Sequence, residues 1–131
     1  MSLRYLLDTN ILSDLIRNPQ GAVAEKIAAS GEATICTSLV VAAELRFGAR
    51  KSGSRPLTER VDLILSALHV EPLEPPVDRH YAKIRHHLAR KGTPIGPNDL
   101  LIAAHALSLD LTVVTANEKE FVRVPGLKTE N

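Results

Sequence analysis

Aromatic residues and cysteine are scarce in this sequence, and tryptophan is absent. Tyrosine and phenylalanine together make up 3% of the chain, so the hydrophobic core must be largely aliphatic. The same scarcity means that stacking on nucleic-acid bases is not a major source of binding. Cys36 is the only cysteine, which excludes a disulfide framework and a zinc site built from cysteines.

The sequence also lacks a strong net charge and a long apolar run. Its formal charge is +1, which gives no whole-molecule field to attract nucleic acid or an anionic membrane. Asp8 interrupts the first apolar run, which is then too short for a signal peptide, and no later run approaches the length of a membrane helix. We therefore expect a cytoplasmic protein that does not enter the membrane.

The composition is that of a globular protein, with 44% hydrophobic and 24% charged residues. The length fits one domain over residues 1–131. Apolar runs of strand length lie at 3–8, 33–37, 69–74, 111–115 and 127–129, and helical patterns lie at 10–18, 21–30, 39–51, 57–68, 77–92 and 98–109. Because strands separated by helices pair in parallel, the pattern predicts a three-layer α/β/α sandwich with a mostly parallel central sheet.

Three acidic residues interrupt segments that otherwise have the pattern of a core. Asp8 ends the first strand, Glu44 lies in the apolar helical run "LVVAAELRF", and Asp99 opens a helix after "GPN". Since ligands of an open parallel sheet bind beyond the carboxyl ends of its strands, Asp8 lies at that edge and Asp99 could reach it. Each acid also has a structural interpretation: Asp8 in a turn, Asp99 as a helix cap, and Glu44 paired with Arg46 or Arg50.

If the three carboxylates do meet, they need a cation, because like charges at close range raise one another's pKa. Oxygen ligands alone favour Mg²⁺ or Mn²⁺ over softer metals, and Mg²⁺ needs only a few carboxylates together with water and substrate phosphate. The pattern thus indicates metal-assisted hydrolysis of phosphodiester bonds.

Four segments, taken in order, resemble one known family. These are "LLDTNIL", "TSLVVAAEL", "KGTPIGPNDLLIAAHA" and "VVTANEKEF", and together they are similar to the PIN-domain ribonucleases, in particular the VapC-type toxins of bacterial toxin–antitoxin pairs. The resemblance implies an α/β/α fold and a magnesium-dependent endoribonuclease that hydrolyses structured cellular RNA, with Mn²⁺ as a substitute metal.

The resemblance also assigns the residues of the site. The three family acids fall on Asp8, Glu44 and Asp99, and the polar positions that line the family's site fall on Thr9, Asn10, Ser38 and Thr115. In the mechanism that this implies, Asp8 and Asp99 hold the principal Mg²⁺, and the product carries a 5′-phosphate.

The fourth acid of the family is replaced in this sequence. Asn117 stands two residues after Thr115, where many members carry a carboxylate. Glu120 follows three residues later, on the same side if that segment is helical, and is similar to the glutamate of members that carry asparagine at the earlier position. We expect Glu120 to support the metal together with Glu44, although Asn117 could still bind through its amide oxygen.

The resemblance further implies a homodimer and a VapB-type antitoxin that blocks the site. Apolar residues in the first helix exceed what one core face requires, which is consistent with a groove for a partner segment; they are Ile11, Leu12, Leu15 and Ile16. Five basic residues with no acid between them lie at 79–91, within the fifth helical pattern, and could line an RNA path; they are Arg79, Lys83, Arg85, Arg90 and Lys91. An ordinary solvated helix face is the alternative for each of them.

Other functions fit the acids less well. A haloacid-dehalogenase-like phosphatase needs a second acid at the position of Asn10, and a receiver domain needs an acidic pair after its first strand, which is not evident. The remaining alternative is a catalytically weak or inactive PIN-like module that binds RNA, because Asn117 reduces the set of acids.

Overall fold

Five strands form a single sheet in the computed structural model, which describes residues 2–131. They are β1 (Tyr5–Leu7), β2 (Ile35–Ser38), β3 (Val70–Glu71), β4 (Thr112–Val114) and β5 (Thr129–Glu130). The order across the sheet is β3-β2-β1-β4-β5, and every neighbouring pair is parallel. The mostly parallel sheet that the sequence predicts is confirmed.

Seven helices connect the strands. They are α1 (Thr9–Arg17), α2 (Ala22–Ser30), α3 (Leu39–Ser52), α4 (Arg55–Ala67), α5 (Val77–Lys91), α6 (Pro97–Leu109) and α7 (Glu118–Phe121). After β1 the chain adds β2 and then β3 on one side of β1, and it then crosses back to form β4 on the other side of β1. Right-handed crossovers therefore place α1 to α4 on one face of the sheet and α5 with α6 on the other. The contacts agree, since α1 touches α2, α3 and α4 while α5 packs on α6.

The predicted helix ends agree closely with the observed ends where the sequence contains a capping residue. The Ser38 side chain accepts a hydrogen bond from the backbone of Val40 and starts α3 at Leu39, as predicted. Gly92 ends α5 in the left-handed region at φ 69°. Helix α4 begins two residues earlier than predicted, because Ser54 caps it and Pro56 suits the first helical turn.

Short elements depart from the sequence prediction. A 3₁₀ turn at Glu32–Thr34 delays β2 to Ile35, and Pro72, which lacks an N–H, follows β3 and limits it to two residues. The segment after β4, to which the sequence analysis assigns neither a strand nor a helical pattern, contains the helical turn α7. The last strand lies at Thr129–Glu130 rather than 127–129.

The core lies on both faces of the sheet and is aliphatic, as expected. Leu6, Cys36 and Val113 on the three central strands have no exposed surface. Part of the apolar surface that the sequence assigns to a partner groove is used for packing within the chain, because α1 packs against α2, α3 and α4. Ile11, Leu12 and Ile16 are buried, and Leu15 is half-buried against the core. Over residues 2–131, no helix combines the length and the apolar character needed to cross a membrane.

Candidate active site at the sheet edge

The candidate site lies at the carboxyl ends of β1 and β4. These strands are neighbours, and the connections that leave β1 and enter β4 lie on opposite faces of the sheet. A crevice therefore opens between the two strand ends, which is where open parallel sheets bind ligands. The Asp8 amide donates to the Val114 carbonyl oxygen at 2.9 Å, so Asp8 continues the ladder directly into this crevice.

Asp8 is the most deeply buried acid of the site, and its residue is only 3% exposed. Its Oδ1 atom accepts from the Thr9 backbone N–H at 2.8 Å, and its Oδ2 atom accepts from the Thr115 hydroxyl at 2.8 Å. Burial raises the pKa of Asp8, these two hydrogen bonds oppose the rise, and the charges of Glu44 and Glu120 add to it. Thr115 accepts in turn from the Asn117 backbone N–H at 2.9 Å.

Glu44 reaches the site from the second turn of α3. Its Oε1 atom accepts from the Thr9 hydroxyl at 2.7 Å, and its Oε2 atom accepts from the Asn98 side chain at 3.3 Å. Glu44 is half-buried, as the apolar run around it predicts. The alternative in which Arg46 neutralises Glu44 does not hold, because Arg46 pairs with Asp62.

Asp99 and Glu120 form a pair of carboxyl groups beside Gly96. Glu120 accepts from the Gly96 amide at 2.7 Å and from the Asn117 side chain at 2.6 Å. Burial, followed by the hydrogen bond and the charge of Glu120, raises the pKa of Asp99 to about 8. The hydrogen bond to Asp99 is the main cause that lowers the pKa of Glu120. The two carboxyl groups therefore share one proton near neutral pH, and the hydrogen bond between them favours its location on Asp99.

One open pocket of about 450 Å³ collects most of the predicted residues. Its lining consists of Asp8, Thr9, Asn10, Ser13, Arg17, Glu44, Asp99 and Asn117. The side-chain oxygen of Asn10 accepts a hydrogen bond from the Ala116 backbone N–H at 3.0 Å. This bond joins α1 to the loop after β4 at the pocket. Thr115 and Glu120 lie directly behind this lining and hold Asp8 and Asn117.

Ser38 takes a different place from the one expected for it. It is fully buried, caps α3 and contacts the Nδ1 atom of His105 at 2.8 Å, and it is not among the residues that line the pocket. Burial lowers the pKa of His105, so the imidazole is neutral at physiological pH. Ser38 thus ties α6, which carries Asp99, to the start of α3, which carries Glu44.

Three residues of the site escaped the sequence analysis. Ser13 and Arg17 share one face of α1 with Asn10, because residues three and seven positions apart lie on the same side of a helix. That spacing is a signal the sequence offers once Asn10 is placed in the site. Asn98 precedes Asp99 on α6 and donates a hydrogen bond to Glu44 on α3. The local sequence does not reveal this contact between the two helices.

The comparisons with known proteins fit this geometry. The family model described as PIN domain matches residues 5–127. The chain belongs to the PIN-domain family. The resemblance found in the sequence is thereby confirmed, and the VapC type within the family follows from the relatives.

Two relatives and one solved structure are similar to this PIN domain over nearly its whole length. The tRNA(fMet)-specific endonuclease VapC of Shigella flexneri is 38% identical, with 98% of both chains covered. Ribonuclease VapC2 of Rickettsia felis is 38% identical, with 97% of this chain and 96% of the relative covered. The crystal structure of VapBC2 from Rickettsia felis bound to a promoter DNA fragment superposes with a TM-score of 0.92 at 35% identity, covering 100% of this chain and 98% of that one.

The donor atoms of the PIN-domain pocket suit a hard divalent cation. The side chains that line the pocket offer carboxylate, amide and hydroxyl oxygens as ligands, and burial, with a further contribution from neighbouring negative charges, raises the pKa values of Asp8 and Asp99. Over the described residues, no three acidic, histidine or cysteine side chains already stand close enough to share one ion. An ion would therefore need a closer arrangement of these acids or further ligands from water and substrate.

Proposed function

We propose that this PIN domain is the RNA-cleaving toxin of a VapBC-type toxin–antitoxin pair and that it depends on Mg²⁺. It hydrolyses phosphodiester bonds of structured cellular RNA, and Mn²⁺ replaces Mg²⁺. The names of the relatives, a ribonuclease and a tRNA-specific endonuclease, support the reaction and the substrate class. A folded RNA such as tRNA is the first substrate to test.

One observation carries the proposal. Acidic side chains from four separate elements surround the crevice between β1 and β4, near enough for their charges to influence one another, and they are Asp8, Glu44, Asp99 and Glu120. Each of them costs stability when it is ionised beside the others without a cation. A purely structural role would not gather four carboxyl groups at one sheet edge.

Asp8 and Asp99 would hold the Mg²⁺ ion, with Glu44 and Glu120 in support. When bound, the ion would neutralise charge on the scissile phosphate and supply an activated water. Asp8 suits this role because two hydrogen bonds fix its carboxylate in one orientation. Asp99 must give up its proton, and the nearby charge of Glu120 accounts for part of the raised pKa that makes this step pH-dependent.

The remaining polar residues position the substrate and the acids. Arg17 brings a positive charge to the rim of an otherwise acidic pocket, where it can contact an RNA phosphate. Thr9 holds Glu44 and its backbone holds Asp8, so one residue sets the spacing of two acids. Asn117 holds Glu120 beside Asp99 through its side chain.

The proposed partners are a VapB-type antitoxin and a second copy of this chain, and the proposed location is the cytoplasm. Structures similar to this chain are titled as VapBC complexes, which supports the antitoxin. An exposed apolar stripe on α3 supports a protein interface; it consists of Leu39, Ala43 and Phe47.

The test is cleavage of total bacterial RNA and of purified tRNA by the full chain. Wild-type protein should cut RNA with Mg²⁺ or Mn²⁺, stop in excess EDTA, and recover when Mg²⁺ is restored. Undiminished cleavage in EDTA would contradict the metal mechanism. Binding of RNA without cleavage at any Mg²⁺ concentration would instead favour the inactive RNA-binding module.

A further inference from the structure

A second groove, separate from the acidic pocket, lies along one face of α5. We call it the α5 groove, and it is lined by three cations and three histidines: Lys83, Arg90, Lys91, His80, His86 and His87. Its volume is about 860 Å³, and no acidic residue lines it. It shares no lining residue with the acidic pocket.

The structure divides the five basic residues of this segment into two groups. Lys83, Arg90 and Lys91 face the groove. Arg85 points elsewhere, since it donates to the Tyr81 hydroxyl at 2.9 Å and lines a different pocket, and Arg79 lines neither. Three of the five basic residues therefore line one groove, and none of the residues that line it is acidic.

The cations of the groove are not used within the protein. Over residues 2–131, the ion pairs involve Arg46, Arg55 and His69, none of which lines the groove. Lys83 and Arg90 are seven residues apart, so they lie about 11 Å apart along the helix axis. That arrangement suits an extended chain of anionic groups rather than one small anion.

Helix α6 links the groove to the acidic pocket. It begins beside Asp99 and reaches the groove wall at Leu107, eight residues or about 12 Å further along its axis. Pro125 and Gly126, which follow α7 and its Glu120, close the other side. An RNA strand that is cut at the acidic pocket can therefore also reach the groove. The groove would contact a different phosphate from the one that is cleaved.

We propose that the α5 groove binds the RNA phosphate backbone next to the cleaved segment and contributes affinity rather than chemistry. This inference rests on the proposed ribonuclease function for its choice of ligand. Charge favours a polyanion, and the spaced cations with few aromatic or large apolar anchors favour RNA over an acidic peptide, which would dock through apolar side chains.

The experiment compares two double variants of the full chain that each remove two positive charges. The groove variant is Lys83→Gln with Arg90→Gln, and the control is Arg85→Gln, which lies on another face of α5, with Arg60→Gln on α4. Binding to a fluorescein-labelled 2′-O-methyl stem-loop RNA, which resists cleavage, is measured by anisotropy from about 50 to about 200 mM KCl, and thermal melting confirms folding.

The groove variant should bind RNA about tenfold more weakly, and the slope of log affinity against log salt should fall by about 0.7 for each lost phosphate contact. The control should change affinity less than twofold. Equal weakening by both variants, or none by the groove variant, overturns the proposal, as does displacement of the RNA by poly-glutamate at matched charge. Cleavage of total RNA by wild-type protein, measured in parallel, tests the ribonuclease function independently of the groove.

Discussion

At the residue scale, the site depends on two carboxyl groups of unlike mobility. Asp8 is buried and fixed by Thr9 and Thr115, whereas Asp99 is half-buried and its pKa is raised to about 8. In the proposed mechanism the two acids would therefore differ, since Asp8 offers a ready position and Asp99 would release a proton when it binds the metal. Substitution by asparagine tests both, because it keeps the size of the side chain and removes its charge.

Asp8→Asn and Asp99→Asn should each lower RNA cleavage by at least a hundredfold, because an amide binds Mg²⁺ more weakly than a carboxylate. Both variants should fold, which circular dichroism can verify. Cleavage rates are measured at saturating Mg²⁺ on purified tRNA. A variant that cuts at a near wild-type rate would remove its residue from the metal core.

The pKa of Asp99 also predicts how the metal-free protein responds to pH. Its folded pKa of about 8 exceeds the ordinary value of 3.8, so the folded state binds more protons than the unfolded state between these two values. The free energy of unfolding should therefore fall as pH rises from about 4 to about 8. The measurement is the urea midpoint at pH 5, 7 and 9 in EDTA.

Asp99→Asn is the matched variant for this pH dependence. The amide cannot ionise, yet it can still donate a hydrogen bond to Glu120, so the dependence should flatten and the stability at pH 9 should rise. If wild type and Asp99→Asn lose the same amount of stability from pH 5 to pH 9, Asp99 does not carry the proton.

The fourth acidic role is assigned to Glu120 rather than Asn117. Asn117 donates to Glu120 and its backbone supports Thr115, so its amide has a positioning role. Glu120→Gln should raise the Mg²⁺ concentration for half-maximal cleavage several-fold, with a smaller loss at saturating metal than Asp8→Asn shows. Asn117→Asp should retain activity or need less Mg²⁺. If Glu120→Gln matches wild type at all Mg²⁺ concentrations while Asn117→Ala is inactive, the assignment reverses.

The sequence predicts which acids gather, but it does not predict how they are held. Asp8, Glu44 and Asp99 stand out because each interrupts an apolar pattern, and a charge in such a place needs a reason. The hydrogen bonds from Asn98 to Glu44 and from Ser38 to His105 join residues far apart in the chain. Only the packed structure reveals such contacts, since no local pattern encodes them.

At the element scale, the long helices and central strands follow directly from periodicity and caps. The short elements do not, because one turn of helix or two residues of strand form only a few hydrogen bonds of their own and depend on their neighbours. The 3₁₀ turn before β2 and the α7 turn are of this kind. The α7 turn carries Glu120, so the proposed role of this acid depends on an element that the sequence predicts poorly.

Ser38→Ala tests the link between α3 and α6. It removes the α3 cap, which costs about 1 to 2 kcal/mol, and leaves the buried Nδ1 of His105 without its partner, which costs about 1 to 3 kcal/mol more. The expected result is a clear loss of stability in urea and a moderate fall in the cleavage rate of the folded protein, since Glu44 and Asp99 are no longer held together.

Ser54→Ala is the control, because Ser54 caps α4 without a contact to the acids. It should cost about 1 kcal/mol and leave the cleavage rate unchanged. Equal stability losses in the two variants would show that the contact between Ser38 and His105 adds nothing beyond an ordinary cap.

At the scale of the whole molecule, one aromatic side chain is exposed to solvent instead of being packed in the core. The chain has only four aromatic residues, and one of them, Phe47, is 67% exposed on α3. Leu39 and Ala43 continue the same face at intervals of four residues. Exposed apolar stripes of this kind mark protein interfaces, and the proposed homodimer is the simplest occupant.

Wild-type protein should therefore sediment at twice its 14.2 kDa chain mass. Phe47→Ser should raise the dissociation constant of the dimer by about tenfold or more, because an aromatic side chain that is buried in an interface commonly anchors it. Val122→Ser is the control, since Val122 is also apolar and 69% exposed but lies after α7. A wild-type protein that sediments as a monomer at high micromolar concentration would contradict the homodimer. If Val122→Ser dissociates the dimer as strongly as Phe47→Ser does, the α3 stripe is not the interface.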